Sequence, residues 1–288
     1  MKKLIFVTIL WAFSFSLIGE FLAGRLDSYF AVFARVALAC AVFLPFTKFR
    51  RVPLRLALGV MAIGAVQIGV MYLFYYNSFL YLSVAEVALF TIFTPFYVTI
   101  VYDAFALRFR ALYLLSVGIA VFGALVIKYG SINEGVLKGF LLVQGANLCF
   151  GAGQSAYKIL LEKYNVSQKS VFGYFHFGAF FVTLAALLAF GNFERMNPSA
   201  TQILVLLWLG IVASGLGYYL WNKGACEVDS GVLAIMNNAL IPAAIIVNLV
   251  IWHKDADLLR LLIGGAIMYV SLMVHKKIVK IYEDGVVA

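Results

Sequence analysis

Ten long apolar runs, separated by short polar breaks, make up most of the chain. The runs cover approximately residues 4–24, 29–47, 54–76, 82–104, 111–128, 136–157, 171–190, 202–221, 230–252 and 258–275. About 20 apolar residues in an α-helix span the roughly 30 Å hydrocarbon core of a bilayer. The sequence therefore predicts an all-α integral membrane protein with ten transmembrane helices, and the breaks are too short to hold a separate extramembrane domain.

The charge content excludes a soluble globular protein. Only 12% of the 288 residues are charged, against about 25% in an average soluble domain. The net charge of +9 would suggest a nucleic-acid partner in a soluble protein. In a membrane protein, the excess of Lys and Arg in cytoplasmic loops accounts for it. We therefore expect a lipid bilayer around the chain and no nucleic-acid partner.

Lys and Arg residues in alternate loops predict the orientation. With the N-terminus inside, fifteen of them fall on the cytoplasmic side and six on the outer side. The cytoplasmic set is Lys2, Lys3, Lys48, Arg50, Arg51, Arg55, Arg108, Arg110, Lys158, Lys163, Lys169, Lys223, Lys276, Lys277 and Lys280. The outer set is Arg25, Lys128, Lys138, Arg195, Lys254 and Arg260. Both termini are thus predicted to be cytoplasmic, in a bacterial-type inner membrane, with the first run as an uncleaved helix.

No sequence motif indicates enzymatic chemistry. The chain has no phosphate-cradling glycine loop, no HExxH and no nucleophile elbow. Its three cysteines, Cys40, Cys149 and Cys226, have no CxxC spacing, so no disulfide or metal site follows. We expect a protein that is not an enzyme, without catalytic residues, metal or cofactor.

The two halves of the chain show weak internal repetition. A shift of 147 residues aligns Pro95 with Pro242 and Tyr72 with Tyr219 without gaps. Because five is odd, a second set of five spans must enter the membrane from the opposite side, as in the inverted repeats of secondary transporters. The expected units are residues 1–130, residues 135–277 and a cytoplasmic tail at 278–288.

The run at residues 82–104 combines a carboxylate, Glu86, with a mid-span proline, Pro95. Phe90, Phe93 and Tyr97 follow Glu86 at helical spacing and share its face. Glu86 is either an interfacial group that reaches outside water, or a cavity anion that attracts an ammonium or binds a proton. The ring stripe is either packing or the wall of an amine site, because ring faces attract cations.

Other polar groups within the runs are candidates for a central site. Arg35 either forms an ion pair with Glu86 or recognises a substrate carboxylate. Asn237 and Asn238 either bind a zwitterion through their amides or bond between helices. His176 could titrate near neutral pH but fits packing at least as well. The remaining candidates are Trp11, Tyr72, Asn147 and Gln154, with a wider set of Ser14, Gln67, Tyr75, Tyr76, Asn77, Tyr157, Tyr218, Tyr219 and Trp221.

Several segments resemble the EamA-type members of the drug/metabolite transporter superfamily. They include LWAFSFSLIGE, ARVALACAVF, YYNSFLYLSVAEVALFTIFTPF and GLGYYLWNKGACEVDSGVLAIMNNALIP. The resemblance implies two inverted five-helix repeats, with helices 1, 3, 4, 6, 8 and 9 around a central cavity and helices 5 and 10 peripheral. The family's glutamate, about thirteen residues after each proline, is replaced here by Arg108 and Asp255.

The prediction from these observations is a secondary active transporter that works by alternating access. Pro95 and Pro242 are expected to kink the helices at the cavity wall. An amino acid or related amine is the first choice of cargo, and the resemblance favours export. The alternatives are a vitamin, a nucleotide precursor, a metallophore, or a membrane scaffold or intramembrane enzyme. A coupling proton and a monomer or homodimer are compatible with the sequence.

Overall fold

The computed structural model describes residues 1–50, 52–105, 111–128, 133–164, 166–228, 230–253 and 257–284. Some residues used above to predict the orientation and the family resemblance lie outside the described residues. They are Arg51, Arg108, Arg110, Lys254 and Asp255. The helices are α1 (Lys2–Leu22), α2 (Ser28–Phe46), α3 (Leu54–Ser78), α4 (Val84–Phe90, Thr91–Phe93 and Thr94–Phe105), α5 (Tyr113–Lys128), α6 (Glu134–Glu162), α7 (Gln168–Phe190), α8 (Ala200–Cys226), α9 (Ser230–Ile246 and Val247–Ile251) and α10 (Leu258–Glu283).

The described residues therefore form the ten helices that the apolar runs predict, and the all-α fold class is confirmed. Eight helices are long and apolar enough to cross a membrane, and two shorter apolar helices complete the set. Two helices continue well beyond their apolar runs, because polar residues prolong α6 to Glu162 and α10 to Glu283. The division into repeats at residues 1–130 and 135–277 and the N-in, C-in orientation stay predictions.

Successive helices run in opposite directions. We call the side at which α1 begins the N-terminal side, and the opposite face the far side. All five helices that begin on the far side have a side-chain N-cap, and each such cap contributes about 1 kcal/mol. The capping residues are Asp27, Ser83, Asn133, Ser199 and Asp257.

Helices α5 and α10 lie against each other, whereas the family resemblance implies only that both are peripheral. Each has a glycine at the crossing: a Cβ on Gly123 would lie 2.8 Å from the carbonyl oxygen of Gly264, and a Cβ on Gly264 would lie 2.7 Å from that of Gly123. Ser271 also donates its hydroxyl to the carbonyl of Ser116 at 2.8 Å. This close pair lies outside the set of helices that surrounds the centre of the bundle.

Four helices contain segments of π-helix, in which each N–H bonds five residues back and which often occur at functional sites. In α3 the segment is Ala65–Val70, and in α8 it is Trp208–Gly217. The shift of 147 residues places the α3 segment inside the α8 segment. The shorter π segments are Ile18–Leu22 in α1 and Val247–Ile251 in α9. Apolar periodicity does not reveal such segments, and the sequence did not predict them.

Candidate functional site

A cavity lies at the centre of the bundle, between α1, α2, α3, α4, α6, α8 and α9. Its volume is about 90 Å³, below the roughly 300–1,000 Å³ of typical small-molecule pockets. The helix set includes all six that the family resemblance implies, with α2 in addition. The lining residues are Trp11, Ser14, Phe15, Arg35, Met71, Tyr72, Tyr75, Thr91, Thr94, Ala146, Asn147, Phe150, Tyr218, Trp221, Asn237 and Leu240.

Arg35 is the charged residue of this wall, and it is only 2% exposed. Its Nε donates to the carbonyl oxygen of Leu209 at 3.2 Å and to the hydroxyl of Ser214, and its Nη1 donates to the Tyr76 hydroxyl at 3.1 Å. The guanidinium carbon lies 4.3 Å from the centre of the Tyr72 ring. None of these partners is a carboxylate, so within the described part of the chain the cation is solvated by neutral groups.

The π segment of α8 supplies backbone acceptors to its neighbours. The Leu209 carbonyl accepts from Arg35, and the Ala213 carbonyl accepts from the indole N–H of Trp11 at 2.9 Å. A π turn breaks the regular i to i−4 ladder, so its carbonyls can accept bonds from other helices. The segment thereby fixes α1 and α2 at one wall of the cavity.

Aromatic rings form much of the remaining wall. The centre of the Trp11 ring lies 4.8 Å from that of Tyr218, 5.0 Å from that of Trp221 and 5.9 Å from that of Phe150. Such close ring pairs stabilise the wall beyond simple area burial. The result is an apolar, polarisable surface in the same cavity as the guanidinium of Arg35, suited to a ligand with an apolar body and an anionic end.

The α-helix of α4 is interrupted beside the cavity. In the 3₁₀ turn at Thr91–Phe93, the Thr94 N–H bonds to the Thr91 carbonyl, so the Phe90 carbonyl has no α-helical donor. The side-chain amide of Asn147, on α6, donates to Phe90 O at 2.9 Å. Pro95 has no N–H of its own, and the Thr94 hydroxyl donates to Thr91 O at 2.8 Å. Side chains therefore replace the lost ladder bonds.

The two prolines have different local structures. Pro95 directly follows the 3₁₀ turn, so the predicted distortion of α4 is present. Pro242, by contrast, lies inside the α-helical segment Ser230–Ile246. A gating role for either residue stays a prediction, but only the first coincides with an interruption of the α-helix.

The structure brings five of the eleven proposed binding residues to the cavity. They are Trp11, Arg35, Tyr72, Asn147 and Asn237. Of the amide pair, Asn237 lines the cavity and donates to the Leu233 carbonyl at 3.0 Å, whereas Asn238 does not line it. Gln154 also lies outside the lining, behind Trp221, whose indole N–H donates to Gln154 Oε1 at 3.1 Å.

The aromatic stripe of α4 faces α6 and lies outside the cavity lining, which of the two alternatives favours packing. Phe90 and Phe93 both pack edge-on against Phe140, at ring-centre distances of 5.1 and 5.8 Å. The Tyr97 hydroxyl donates to Gln144 Oε1 at 3.4 Å. The face that reaches the cavity is that of Thr91 and Thr94, beside the stripe.

Glu86 also lies away from the cavity. Its Oε2 accepts from the Ser83 N–H at 2.9 Å, and the Ser83 hydroxyl accepts from the Glu86 N–H at 3.4 Å. This reciprocal arrangement is a capping box at the start of α4. Of the two alternatives for Arg35, the ion pair with Glu86 is not formed, because the hydrogen-bond partners of Arg35 lie on α3 and α8, and recognition of a substrate carboxylate stays a prediction.

Glu86 instead lines a second opening, on the far side, which we call the vestibule. Its volume is about 430 Å³, larger than that of the cavity. Phe79, in its wall, packs edge-on against Tyr75 of the cavity at a ring-centre distance of 5.0 Å. Tyr75 and Phe79 thus lie between the two spaces. The polar side chains of the vestibule are Glu20, Ser83, Glu86, Asn248, Asp257 and Arg260.

Polar contacts join the helix ends on the N-terminal side. Lys3 forms an ion pair with Glu227, which ties the start of α1 to the end of α8, and this hydrogen bond lowers the pKa of the Glu227 carboxyl. Lys158 donates to the Val228 carbonyl at 2.9 Å, which ties α6 to the segment before α9. His176 is fully buried among the rings of Phe43 and Phe172, which fits packing.

Some lining residues were missed from the sequence or were only in the wider set. Thr91 begins the distorted turn, and Thr94 follows the turn directly before Pro95. Two threonines at that place could have been predicted as site residues, but the aromatic stripe was chosen instead. Ala146 and Phe150 share the α6 face of the predicted Asn147. The lining residues that are not among the eleven proposed binding residues are Ser14, Phe15, Met71, Tyr75, Thr91, Thr94, Ala146, Phe150, Tyr218, Trp221 and Leu240.

Known proteins resemble this chain over nearly its full length. The EamA-like transporter family matches residues 137–275. A probable biotin transporter from Pseudomonas aeruginosa is 49% identical over 278 residues, which cover 96% of this chain and 97% of that protein. Biotin transporters from Salmonella typhimurium and Escherichia coli strain K12 are each 45% identical, over 96% of this chain and 93% of theirs. One crystal structure, 17% identical, shares the fold with a TM-score of 0.68 over 94% of this chain and 95% of its own.

Proposed function

The chain belongs to the EamA-like transporter family, and we propose that the small molecule it carries is biotin. The relatives named above are biotin transporters or a probable one, and they cover 96% of the chain. This favours the vitamin alternative over the amino acid that the sequence suggested first. No catalytic chemistry enters the proposal, because transport requires only binding and a change of access.

One observation carries the proposal: a buried arginine in the cavity wall has no carboxylate partner among the described residues. A charged side chain inside a membrane span is costly, by roughly 2.5–3.5 kcal/mol on insertion scales, and usually serves a partner or a pathway. Arg35 has neutral partners, so an anionic ligand would complete its environment. Biotin ends in a carboxylate, which a guanidinium binds with two N–H groups.

The ring wall fits the rest of such a molecule. The sulfur-containing ring and aliphatic chain of biotin are apolar, and Trp11, Tyr218, Trp221 and Phe150 offer apolar faces in the same cavity as Arg35. A cavity of about 90 Å³ is smaller than typical small-molecule pockets. We therefore propose that loading widens the cavity, and that α4, interrupted beside it, moves relative to α6. Alternating access between the vestibule and the N-terminal side would then carry the cargo across.

The proposal is tested by transport in a purified system. The protein in proteoliposomes should accumulate tritiated biotin beyond protein-free vesicles, and unlabelled biotin should compete. A panel of twenty amino acids, pantothenate and a nucleoside should compete far less. If an amino acid competes better than biotin, or if biotin uptake equals that of protein-free vesicles, the proposed cargo is wrong. A transmembrane pH gradient, imposed in either direction, tests proton coupling and direction in the same assay.

A second candidate cargo is a small amine, and the composition of the vestibule favours it. Glu20, Glu86 and Asp257 contribute three carboxylates there, against the guanidinium of Arg260, which pairs with Asp257 at 3.1 Å, and that of nearby Arg25, which pairs with Glu20 at 3.7 Å. Cations are attracted to such an opening. The two candidates differ in the charge of the cargo. Binding to Arg35 requires an anion, whereas the carboxylates of the vestibule attract cations. Competition by a neutral ester and by an amine derivative of biotin distinguishes them.

A further inference from the structure

Three buried amides form a layer beneath the cavity, on its N-terminal side. Gln67, Gln154 and Asn222 lie in α3, α6 and α8, and each is 0% exposed. Each amide lies four residues, or about one helical turn, from a residue of the same helix that lines the cavity. In every case the amide is the one nearer the N-terminal side. These cavity residues are Met71, Phe150 and Tyr218. The amide layer therefore continues the cavity-facing surfaces of three helices.

The bonds within this layer leave a defined set of groups without protein partners. Gln67 Nε2 donates to Asn222 Oδ1 at 3.0 Å, and the Trp221 indole N–H donates to Gln154 Oε1 at 3.1 Å. In the part of the chain that the structure describes, Gln67 Oε1, Asn222 Nδ2 and Gln154 Nε2 have no hydrogen-bond partner. One acceptor and two amino groups are thus buried and unpaired.

This set does not depend on which way the amides are turned. A hydrogen bond between Gln67 and Asn222 always uses one amino group and one oxygen, and leaves one of each. Trp221 can only donate, so Gln154 must receive the bond on its oxygen and present its amino group. Two amino groups and one oxygen remain in every arrangement.

We propose that the amide layer is a second recognition site, for a urea or carboxamide group of the cargo. A urea oxygen can accept from the amino groups of Asn222 and Gln154, while a urea N–H donates to Gln67. A carboxylate cannot donate and a hydrocarbon can do neither, so both are poorer partners. The inference rests on the proposed function, because biotin has a cyclic urea at one end and a carboxylate at the other.

The spacing of the two sites fits one molecule. Ser214, which Arg35 contacts, and Asn222 are eight residues apart on α8, which corresponds to roughly 12 Å. Eight bonds separate the urea carbon of biotin from its carboxyl carbon, about 10 Å when extended, and the terminal oxygens add about 1 Å each. Trp221 lies between the sites, lining the cavity and bonded to Gln154. Its displacement would join them.

The test compares biotin with 2-iminobiotin, whose protonated guanidinium replaces the urea and can only donate. The wild-type protein in proteoliposomes should prefer biotin, by tenfold or more in half-maximal competition. Asn222→Leu should reduce that preference to near one. Asn222→Asp, which is isosteric and exchanges the amino group for an anionic oxygen, should reverse it. Thr183→Val is the control, because this buried hydroxyl bonds only to carbonyls of its own helix, and it should keep the preference.

The outcomes separate the inference from the proposed function. If the wild type transports biotin but both Asn222 variants change biotin and 2-iminobiotin by the same factor, the amide layer is structural and the inference is wrong. If the wild type does not transport biotin, the proposed function is wrong. If Asn222→Leu does not fold, Asn222→Asp and the matched variant Gln67→Glu still test whether the amide layer binds the urea group. With an anionic acceptor in place of an amide, each should favour the guanidinium analogue.

Discussion

Replacing Arg35 by Gln tests whether the cavity selects an anion. The change removes the guanidinium but keeps a polar side chain that can bond to Leu209 O or Ser214. A hydrogen bond to a charged group contributes about 1.5–3 kcal/mol, which corresponds to roughly 10- to 150-fold in affinity. We therefore expect the dissociation constant for biotin to rise by that factor. Removing a charge from a span also relieves an insertion cost, so expression should not fall.

The neutral methyl ester of biotin is the matched ligand, because it has no anion for Arg35 to bind. Competition binding with tritiated biotin at pH 7.5 should show that Arg35→Gln loses affinity for biotin and keeps its affinity for the ester. Arg35→Lys retains the charge without the planar fork and should fall between. Arg25→Gln, an exposed position beside Glu20, serves as the control variant. Equal losses for acid and ester, or no loss for the acid, would refute the role of Arg35 as an anion site.

Three further changes test the scaffold around the site. Asn147→Leu leaves the Phe90 carbonyl unpaired and should slow transport by several-fold in proteoliposomes, whereas Asn77→Leu, whose amide bonds to the carbonyl of Leu73 four residues back, should not. Gly178→Ala places a methyl against the Met61 carbonyl and should destabilise the protein by about 1–3 kcal/mol, seen as a lower melting temperature. Gly118→Ala meets nothing within 4 Å and should not lower it. Glu227→Gln should lower stability by less than about 1 kcal/mol at pH 7. Because Lys3 lowers the pKa of Glu227 below 4.5, this difference should vanish as the pH falls through that lowered value, in melting curves from pH 7 to pH 3.

The helices could be predicted from the sequence because lipid imposes a simple rule. A span must be helical and apolar for about 20 residues, and each predicted run corresponds to one helix of the structure. The helix ends were less predictable, as α6 and α10 show, because polar residues at a membrane surface can continue a helix. The π segments of α3 and α8 were not predictable, because their extra residue per turn leaves the composition unchanged.

The site was predicted less well, because helical spacing gives a face but not the direction of that face. Phe90, Phe93 and Tyr97 do share a face, yet it packs against Phe140 and Gln144 of α6. Arg35 and Asn147 were found because a polar group in mid-span needs an internal partner. Gln67 was only in the wider set of candidates and Asn222 was not proposed, since hydrogen bonding between helices and binding a ligand require the same residue types.

Glu86 and Arg35 differ in their depth along the membrane span, and this difference could have been predicted from the sequence. The segment Ser83–Glu86 has the S-x-x-E pattern of a capping box at a helix start, which places the carboxylate at the membrane surface. Arg35 lies eight residues inside α2, where no cap is available and a charge needs partners within the bundle. Under the proposed function, the positive charge of Arg35 at that depth, and not the carboxylate of Glu86, predicts the charge of the cargo, which would be an anion.

The two halves of the bundle differ where movement would be needed. Their π segments correspond under the shift of 147 residues, but the α-helix is interrupted before Pro95 and continues through Pro242. The interruption in α4 is bridged by one amide of Asn147, from the opposite half. Because the α-helix is interrupted in α4 and continuous through Pro242 in α9, we expect α4 to bend more easily than α9 at the cavity wall. Access to the cavity should therefore change through α4 first, and spin labels on α4 and α6 should separate when biotin binds.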